Sequence, residues 1–339
     1  MMPAKVIVGG FFGDCGKGKV ISYLAMKDNP AATVRGGVGP NAGHTVVYKG
    51  KSYKLRMLPS AILNKQTKLM IGSGVLINPQ VLLDEIKVFD VDQRVMVDSQ
   101  CAIIENVHID RDKRGYLKEK IGTTGSGTGP ANSDRILRLA KVAKNVSFLK
   151  KYVGDVAFEI NKFVDEGSKV ILEGTQGTFL SLYHGTYPFV TSKDVTASAI
   201  CSDVGIGPKK VEDILVVFKS YITRVGEGPL PMELSKEETQ KRGWLETATV
   251  TGRVRRAAPF NFELAKRAVM LNSATQIAIT KLDIVFPKSH NINRYEELPS
   301  EAKEFIENIE NSLKVPVSII STGPEVFNTI DRRVQLGLN

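Results

Sequence analysis

Cysteine is scarce in this chain. The three present, Cys15, Cys101 and Cys201, are odd in number and widely spaced among 339 residues, which fits neither a disulfide framework nor a zinc site. No apolar run approaches the ~20 residues of a membrane span. The chain enters an apolar run at Val6 without the basic, apolar and small-residue zones of a secretory leader. A cytoplasmic, reducing location with no membrane partner is the expectation. A concentrated basic stripe is missing too. The formal net charge of +10 comes from dispersed Lys and Arg, densest at Arg253-Val-Arg-Arg256, whereas a nucleic-acid binder gathers charge beside stacking aromatics. Nucleic acid is therefore not an expected partner, and small anionic substrates fit better.

Glycine is plentiful, and its placement organises the chain. The β-branched run 6–8 predicts a buried strand, followed by Gly9-Gly-Phe-Phe-Gly-Asp-Cys-Gly-Lys-Gly-Lys19 and a helix from Lys19. Further strands are predicted at 32–35, 68–71, 94–97, 102–104, 169–173, 214–218, 276–280 and 315–320. Helices are predicted from Asn78 as N-cap, from Ser133 with Ile136, Leu137, Leu139 and Ala140 on its apolar face, over 156–164 and 262–271, and over 300–313 with Ser300 as cap. Segments 45–49 and 52–56 read as an antiparallel hairpin about Gly50. Polar glycine loops repeatedly follow strands: 36–45, 121–130, 174–177 and 321–324. Strands alternating with helices predict an α/β fold with a large, mostly parallel central sheet flanked by helices, ligands at its carboxyl ends, and one small antiparallel hairpin. Length alone allows one large α/β domain or two smaller ones.

Strand, glycine loop and helix N-terminus together make an anion site, since free N–H groups and the positive dipole end converge there. Gly13-x-x-x-x-Gly18-Lys19 matches most of the Walker pattern and makes the fold P-loop-NTPase-like, with Lys17 and Lys19 adding charge for phosphates. Val20 stands where the metal-binding hydroxyl belongs, so a bound metal would need another ligand, and Asp14 is the candidate. Asp14 as a plain helix N-cap is the alternative. His44, in Asn41-Ala-Gly-His-Thr45, is either a structural imidazole or an acid–base group. Thr123, Thr124, Thr175, Gln176, Thr191 and Ser192 are ordinary loop residues singly, and together resemble the neutral lining of a phosphate and base pocket. Thr280-Lys-Leu-Asp283 is close to the Asn-Lys-x-Asp signature of GTP-binding proteins, in which the carboxylate accepts both guanine N–H groups and the lysine stem packs on the ring. Ser321-Thr-Gly-Pro324 would add backbone amides for the guanine carbonyl. Three arginines at 253–256 are either a solvated face or a fork for a carboxylate.

Taken in order, these pieces closely resemble the adenylosuccinate synthetase family. The markers are Gly13-Asp-Cys-Gly-Lys-Gly-Lys19, Asn41-Ala-Gly-His-Thr45, Gly122-Thr-Thr-Gly125 with Gly129-Pro-Ala131, Glu173-Gly-Thr-Gln-Gly-Thr178 and His184-Gly-Thr-Tyr-Pro-Phe-Val-Thr-Ser192. Thr223-Arg-Val-Gly226, Thr251-Gly-Arg253, Thr280-Lys-Leu-Asp283 and Ser321-Thr-Gly-Pro324 follow, so the resemblance runs from Val6 to Pro324. It implies one catalytic domain over 1–339 that joins IMP to L-aspartate through 6-phosphoryl-IMP, with GTP as co-substrate and one Mg²⁺. Asp14 would take the IMP N1 proton and bind the metal with the Gly43 carbonyl. His44 would serve the transferring phosphate. Gly13, Cys15, Gly16, Lys17, Gly18, Gly43, Thr45, Arg255, Lys281, Asp283, Ser321, Thr322 and Gly323 would hold GTP. Asn41, Ala42, Thr123, Thr124, Gln176, Thr191 and Arg253 would join Asp14 around IMP. Arg138 would reach the IMP phosphate of the neighbouring subunit in a homodimer, and Thr249, Thr251 and Arg253 would take aspartate.

Three departures from the family pattern stand out. Cys15 replaces the usual Glu, Ser22 stands where many members carry Asp, so a carboxylate for His44 must come from elsewhere, and the chain is short, mainly within 131–169 and 234–251. Two rival readings remain at this point. A GTP-binding regulator would use the first loop and the Lys-x-Asp pair but leave His44 and Arg253 without work. A nucleic-acid module would rest on net charge alone.

Overall fold

The computed structural model describes residues 4–248 and 252–338. Its frame is a ten-stranded sheet. From one edge the order is Thr329–Asp331, Val317–Ser321, Gln276–Thr280, Val211–Lys219, Ala4–Gly9, Val170–Glu173, Ala32–Arg35, Lys68–Ile71, Val95–Asp98 and Val153–Gly154. All pairings are parallel except the edge strand Thr329–Asp331, which runs antiparallel to its neighbour. The first strand is thus central, with one chain half on each side.

Within Ala4–Gly9, residues 6–9 are apolar without alternation because both faces are buried there. Successive side chains point to opposite faces. Val6 and Val8 join the core under the helices Val156–Asp165, Ala197–Val204, Phe262–Asn272 and Ser300–Leu313, and Ile7 joins the core under Lys17–Asp28 and Pro79–Phe89.

The expected hairpin is present as His44–Tyr48 paired with Lys51–Leu55, and Lys49 and Gly50 both have positive φ, as a tight two-residue turn requires. Asn78 caps its helix, accepting from the Val81 N–H at 3.2 Å. Other expectations need correction. Ser300 is the first helical residue after Pro299, and its hydroxyl meets only Glu301. The helix expected from Ser133 is Thr128–Ile136. It ends before Leu137 and Leu139, which are exposed, because the backbone turns at Arg138 with φ +64°. The pair Ala102–Ile103 lies outside the main sheet, in a two-stranded parallel sheet with Leu76–Ile77.

Phe11, Phe218 and Phe260 pack edge-to-face with centroids 4.8 to 5.8 Å apart. Gly10 sits against this cluster, and a Cβ there would lie 2.0 Å from the Phe218 ring. Gly10→Ala should therefore overpack the core and cost about 1–3 kcal/mol, read as a lower urea midpoint. An unchanged midpoint would show that the ring moves freely.

Candidate active site

A cleft of about 1340 Å³ opens at the carboxyl ends of the central strands. Its floor is the loop after Ala4–Gly9. Gly13, Asp14 and Gly16 all have positive φ, and Asp14, a non-glycine at +48°, holds a conformation that surrounding contacts must maintain. One such contact is the Thr280 hydroxyl, which donates to the Cys15 carbonyl at 2.7 Å. Gly16 is the N-cap of the helix Lys17–Asp28, so Asp14 is not its cap, and the helix starts two residues before the expected Lys19. Gly18 lets that helix lie against His44, whose Cβ is 2.8 Å from where a Gly18 side chain would begin.

The two lysines are held differently, and only Lys19 departs from expectation. Lys17 donates to the Gln176 carbonyl and lies 3.5 Å from the Cys15 sulfur, joining two glycine loops. Lys19 places its three N–H donors on Ser321 Oγ at 2.5 Å, Gly323 O at 2.6 Å and Asn328 O at 2.7 Å. It does not offer free charge to a phosphate; it straps the first helix to the 321–328 loop. Burial pushes its ammonium down to about 7.

The carboxylate for His44 is Glu173. His44 Nδ1 lies 2.5 Å from Glu173 Oε1 and 3.1 Å from Ser60 Oγ. Facing an anionic acceptor, Nδ1 carries the proton of the neutral ring. Glu173 also takes Arg35 NH1 at 2.5 Å, the Ser60 N–H at 2.7 Å and the Ser60 hydroxyl at 2.9 Å. Arg35 and Glu173 are fully buried and directly paired in register at the ends of adjacent strands. Burial opposes charge on Glu173, but Arg35 and His44 outweigh it and hold its carboxyl down at about 2. Burial, helped by Arg35, lowers the His44 imidazole to about 4.

A second, partly buried carboxylate, Glu246, collects Lys219 Nζ at 3.0 Å, Lys281 Nζ at 3.4 Å, Arg255 NH1 and the Tyr221 hydroxyl. Those cations hold it well below the usual carboxylate range against the opposing effect of burial. Arg255 NH2 continues to Asp14 Oδ1 at 3.0 Å.

Around these charges stand the neutral groups. Asn41 Nδ2 donates to Thr191 Oγ1 at 3.3 Å, Thr123 is held by Asp112 at 2.9 Å, and Thr124 meets Ser126 at 2.9 Å. Gln176 lines the cleft with a φ of +51°. Ala42, Gly43 and Thr45 line it as well, as do Lys281, Asp283, Ser321 and Gly323. Asp283 Oδ2 has His290 Nδ1 at 3.5 Å. Arg253 also lines the cleft and donates to the Gly122 carbonyl at 2.8 Å. Thr322 points away, donating to the Ile292 carbonyl at 2.7 Å. Arg138 lies outside the cleft on an exposed turn, and Thr249 and Thr251 fall outside the described residues. Sequence reasoning missed Arg35, Ser60 and Glu246, and treated Glu173 only as part of a glycine motif. A charged residue ending an apolar strand was the available signal for Arg35 and Glu173.

A glycine loop at a helix N-terminus, a Lys-x-Asp pair after a strand end and polar walls around a buried imidazole give the cleft the features of a nucleotide-dependent enzyme of the α/β class. A family model described as adenylosuccinate synthetase matches residues 6–146, 136–288 and 286–330. An adenylosuccinate synthetase of Methanocaldococcus jannaschii is 54% identical over 340 residues, 99% of each chain. One of Thermococcus onnurineus is 54% identical over 336 residues, covering 98% of this chain and 99% of its own, so the short length is common to all three. A fully ligated adenylosuccinate synthetase from Plasmodium falciparum superposes with a TM-score of 0.91 at 26% identity, covering 97% of this chain and 99% of that one. A succinoaminodeoxyadenylate synthetase of cyanophage S-2L, bound to dGMP and dATP, gives 0.79 at 25% identity over 97% of this chain and 95% of that one. The chain belongs to the adenylosuccinate synthetase family. Its activity is the ligation of IMP to L-aspartate with GTP as co-substrate, and the regulatory reading is not favoured.

The lowered imidazole carries a pH signature. Since the unfolded chain binds the His44 proton first, the stability from this site is full above about pH 6.5 and drains as pH falls toward about 4. Across that window the wild type should lose roughly 3 kcal/mol more than His44→Asn, measured by urea unfolding at a series of pH values. Equal slopes would mean that His44 is charged in the folded state.

Proposed function

We propose that Asp14 and His44 are the catalytic pair of this ligase. Asp14 removes the N1 proton of IMP, the purine oxygen attacks the γ-phosphate of GTP, and the aspartate amine then displaces phosphate from 6-phosphoryl-IMP. The observation that carries this reading is the anchoring of His44 by a buried, ionised Glu173 in the cleft that also holds Asp14. Without ligand, burial and Arg35 keep the ring neutral. An entering phosphate brings the negative charge that favours the imidazolium, whose Nδ1–H Glu173 already accepts, so the ring can neutralise charge on the transferring group.

The donor set suits one Mg²⁺. Asp14 supplies a carboxylate and Gly43 a carbonyl, and Mg²⁺ is ordinarily held by one or two carboxylates plus substrate phosphates. Among the described residues no group of three or more His, Cys, Asp and Glu could hold a metal by itself, which suits a metal that arrives with GTP. When bound, the ion would offset phosphate charge.

Gly13, Cys15, Gly16, Lys17, Gly18, Thr45 and Arg255 serve the GTP phosphates, and Lys281, Asp283, Ser321, Thr322 and Gly323 serve guanine, with Thr322 able to act only through its backbone. Asn41, Ala42, Thr123, Thr124, Gln176 and Thr191 serve IMP. Arg253, with Thr249 and Thr251, takes aspartate. One continuous cleft lined from Phe12 to Pro324 supports a single catalytic unit over 1–339. Arg138 stands on a turn among exposed Ile136, Leu137 and Leu139, apolar surface that supports a homodimer in which it serves the neighbouring site. The free cysteines 15, 101 and 201, together with helices too short or polar to cross a membrane among the described residues, fit a cytoplasmic enzyme.

Following adenylosuccinate formation by its ultraviolet absorbance, Asp14→Ala should lower kcat by about 10²–10⁴-fold with the fold intact by circular dichroism. Arg253→Leu should instead raise the KM for aspartate at least about tenfold, a loss of ~1.4 kcal/mol. A near-normal rate in the first, or an unmoved aspartate KM in the second, would reject that residue's role. Asp283→Asn should shift preference from GTP toward XTP, because an amide N–H can meet the xanthine 2-oxo group where the carboxylate accepted from guanine. An unchanged ratio of kcat/KM values would remove Asp283 from base reading.

A further inference from the structure

Glu246 is explained by none of the roles assigned above, yet it gathers three cations. Lys219 ends the strand Val211–Lys219 and is 2% exposed, Lys281 follows the strand Gln276–Thr280, and Arg255 leads on to Asp14. Without Glu246, Lys219 would lie buried beside two further cations with no carboxylate of its own, whereas Lys281 is half exposed and Arg255 keeps Asp14. Glu246 also begins an antiparallel arm. Its carbonyl accepts the Arg255 N–H at 2.9 Å, Thr247 bridges Val254, and the Ala248 N–H donates to the Arg253 carbonyl at 2.8 Å. Trp244, just before it, stacks on Tyr221 at 4.6 Å, and the Tyr221 hydroxyl donates to the Glu246 carboxylate. The arm is thus pinned through the side chain of Glu246 to two strand ends, and through Arg255 to the phosphate loop. Arg253, two residues from Arg255, reaches across to the Gly122 carbonyl.

We propose that Glu246 is a positioning residue for ligation, registering this arm on the nucleotide side of the cleft so that Arg253 stands where the aspartate carboxylate must bind. It acts through Arg255 and the arm backbone. Of the groups assigned to IMP, Gln176 and Thr191 belong to other loops, while Thr123 follows Gly122, whose carbonyl Arg253 holds. The proposal rests on the assignment of Arg253 to aspartate.

The test is steady-state kinetics of the full chain carrying Glu246→Gln. Loss of a charge-assisted contact of about 1.5–3 kcal/mol should raise the KM for aspartate about 10- to 100-fold, with the KM for IMP within about twofold of wild type. Because Glu246→Gln leaves Lys219 buried without its counter-ion, with the Thr223 hydroxyl still accepting from it at 2.7 Å, the double variant Lys219→Met with Glu246→Gln is measured beside it. The double variant should recover thermal stability and keep the raised aspartate KM. An aspartate KM returned to normal in the double variant would reduce Glu246 to a counter-ion for Lys219 and overturn the proposal, as would an unmoved aspartate KM in the single variant. Arg253→Leu separates the two layers. If Arg253→Leu raises the aspartate KM and neither Glu246 variant does, registration alone fails. If Arg253→Leu leaves it unmoved, the aspartate assignment falls and the proposal falls with it.

Discussion

The buried ion pair between Arg35 and Glu173 is the constraint on which the cleft depends. Both side chains are fully buried at the ends of neighbouring strands, where charge survives only if it is paired and every remaining lone pair is met. Glu173 meets that demand with Arg35, His44 and two donors from Ser60. Satisfying the carboxylate simultaneously fixes the imidazole, the start of the His44–Tyr48 strand and the 60s segment. Removing one partner would leave a charge in the interior, so the cluster is held as a unit.

Straps across the cleft complete the preorganisation. Lys19 ties the helix behind the phosphate loop to the 321–328 loop, Thr280 ties the phosphate loop to the end of the strand Gln276–Thr280, two places away in the sheet, and Lys17 ties it to Gln176. Each strap joins the loop or helix after the central strand to the end of another strand. Charge that a sequence would assign to phosphates is thereby spent partly on building the site. The dipole end of the helix Lys17–Asp28, backbone amides and neutral polar groups share the cleft with Lys17, Arg253, Arg255 and Lys281, in positions the straps help to fix.

Much of this was readable in the chain. Period and composition located strands at 6–8, 32–35, 68–71, 169–173 and 276–280, each within a few residues of the observed one, and glycine loops behind them at the carboxyl ends where the cleft opens. Loops at 13–18, 41–45, 174–177 and 321–324 carry backbone demands that only certain residues tolerate, which is why they are legible as motifs. The helix near 128–136 was misplaced because Leu137 and Leu139 resemble core in one dimension and are exposed in three.

Local residue order determined the α/β class, the glycine loops, the Lys-x-Asp pair and, through them, the family. Tertiary structure alone decided which charges meet. Arg35 and Glu173 lie 138 positions apart and Lys19 and Ser321 lie 302 apart, so no local pattern encodes either pairing. Parallel strands joined by long crossovers bring distant strand ends side by side, and the low dielectric between them makes each meeting an electrostatic necessity. The sequence therefore declared the ligands' loops, and the packed sheet supplied the partners that make His44, Asp14 and Arg255 into a site.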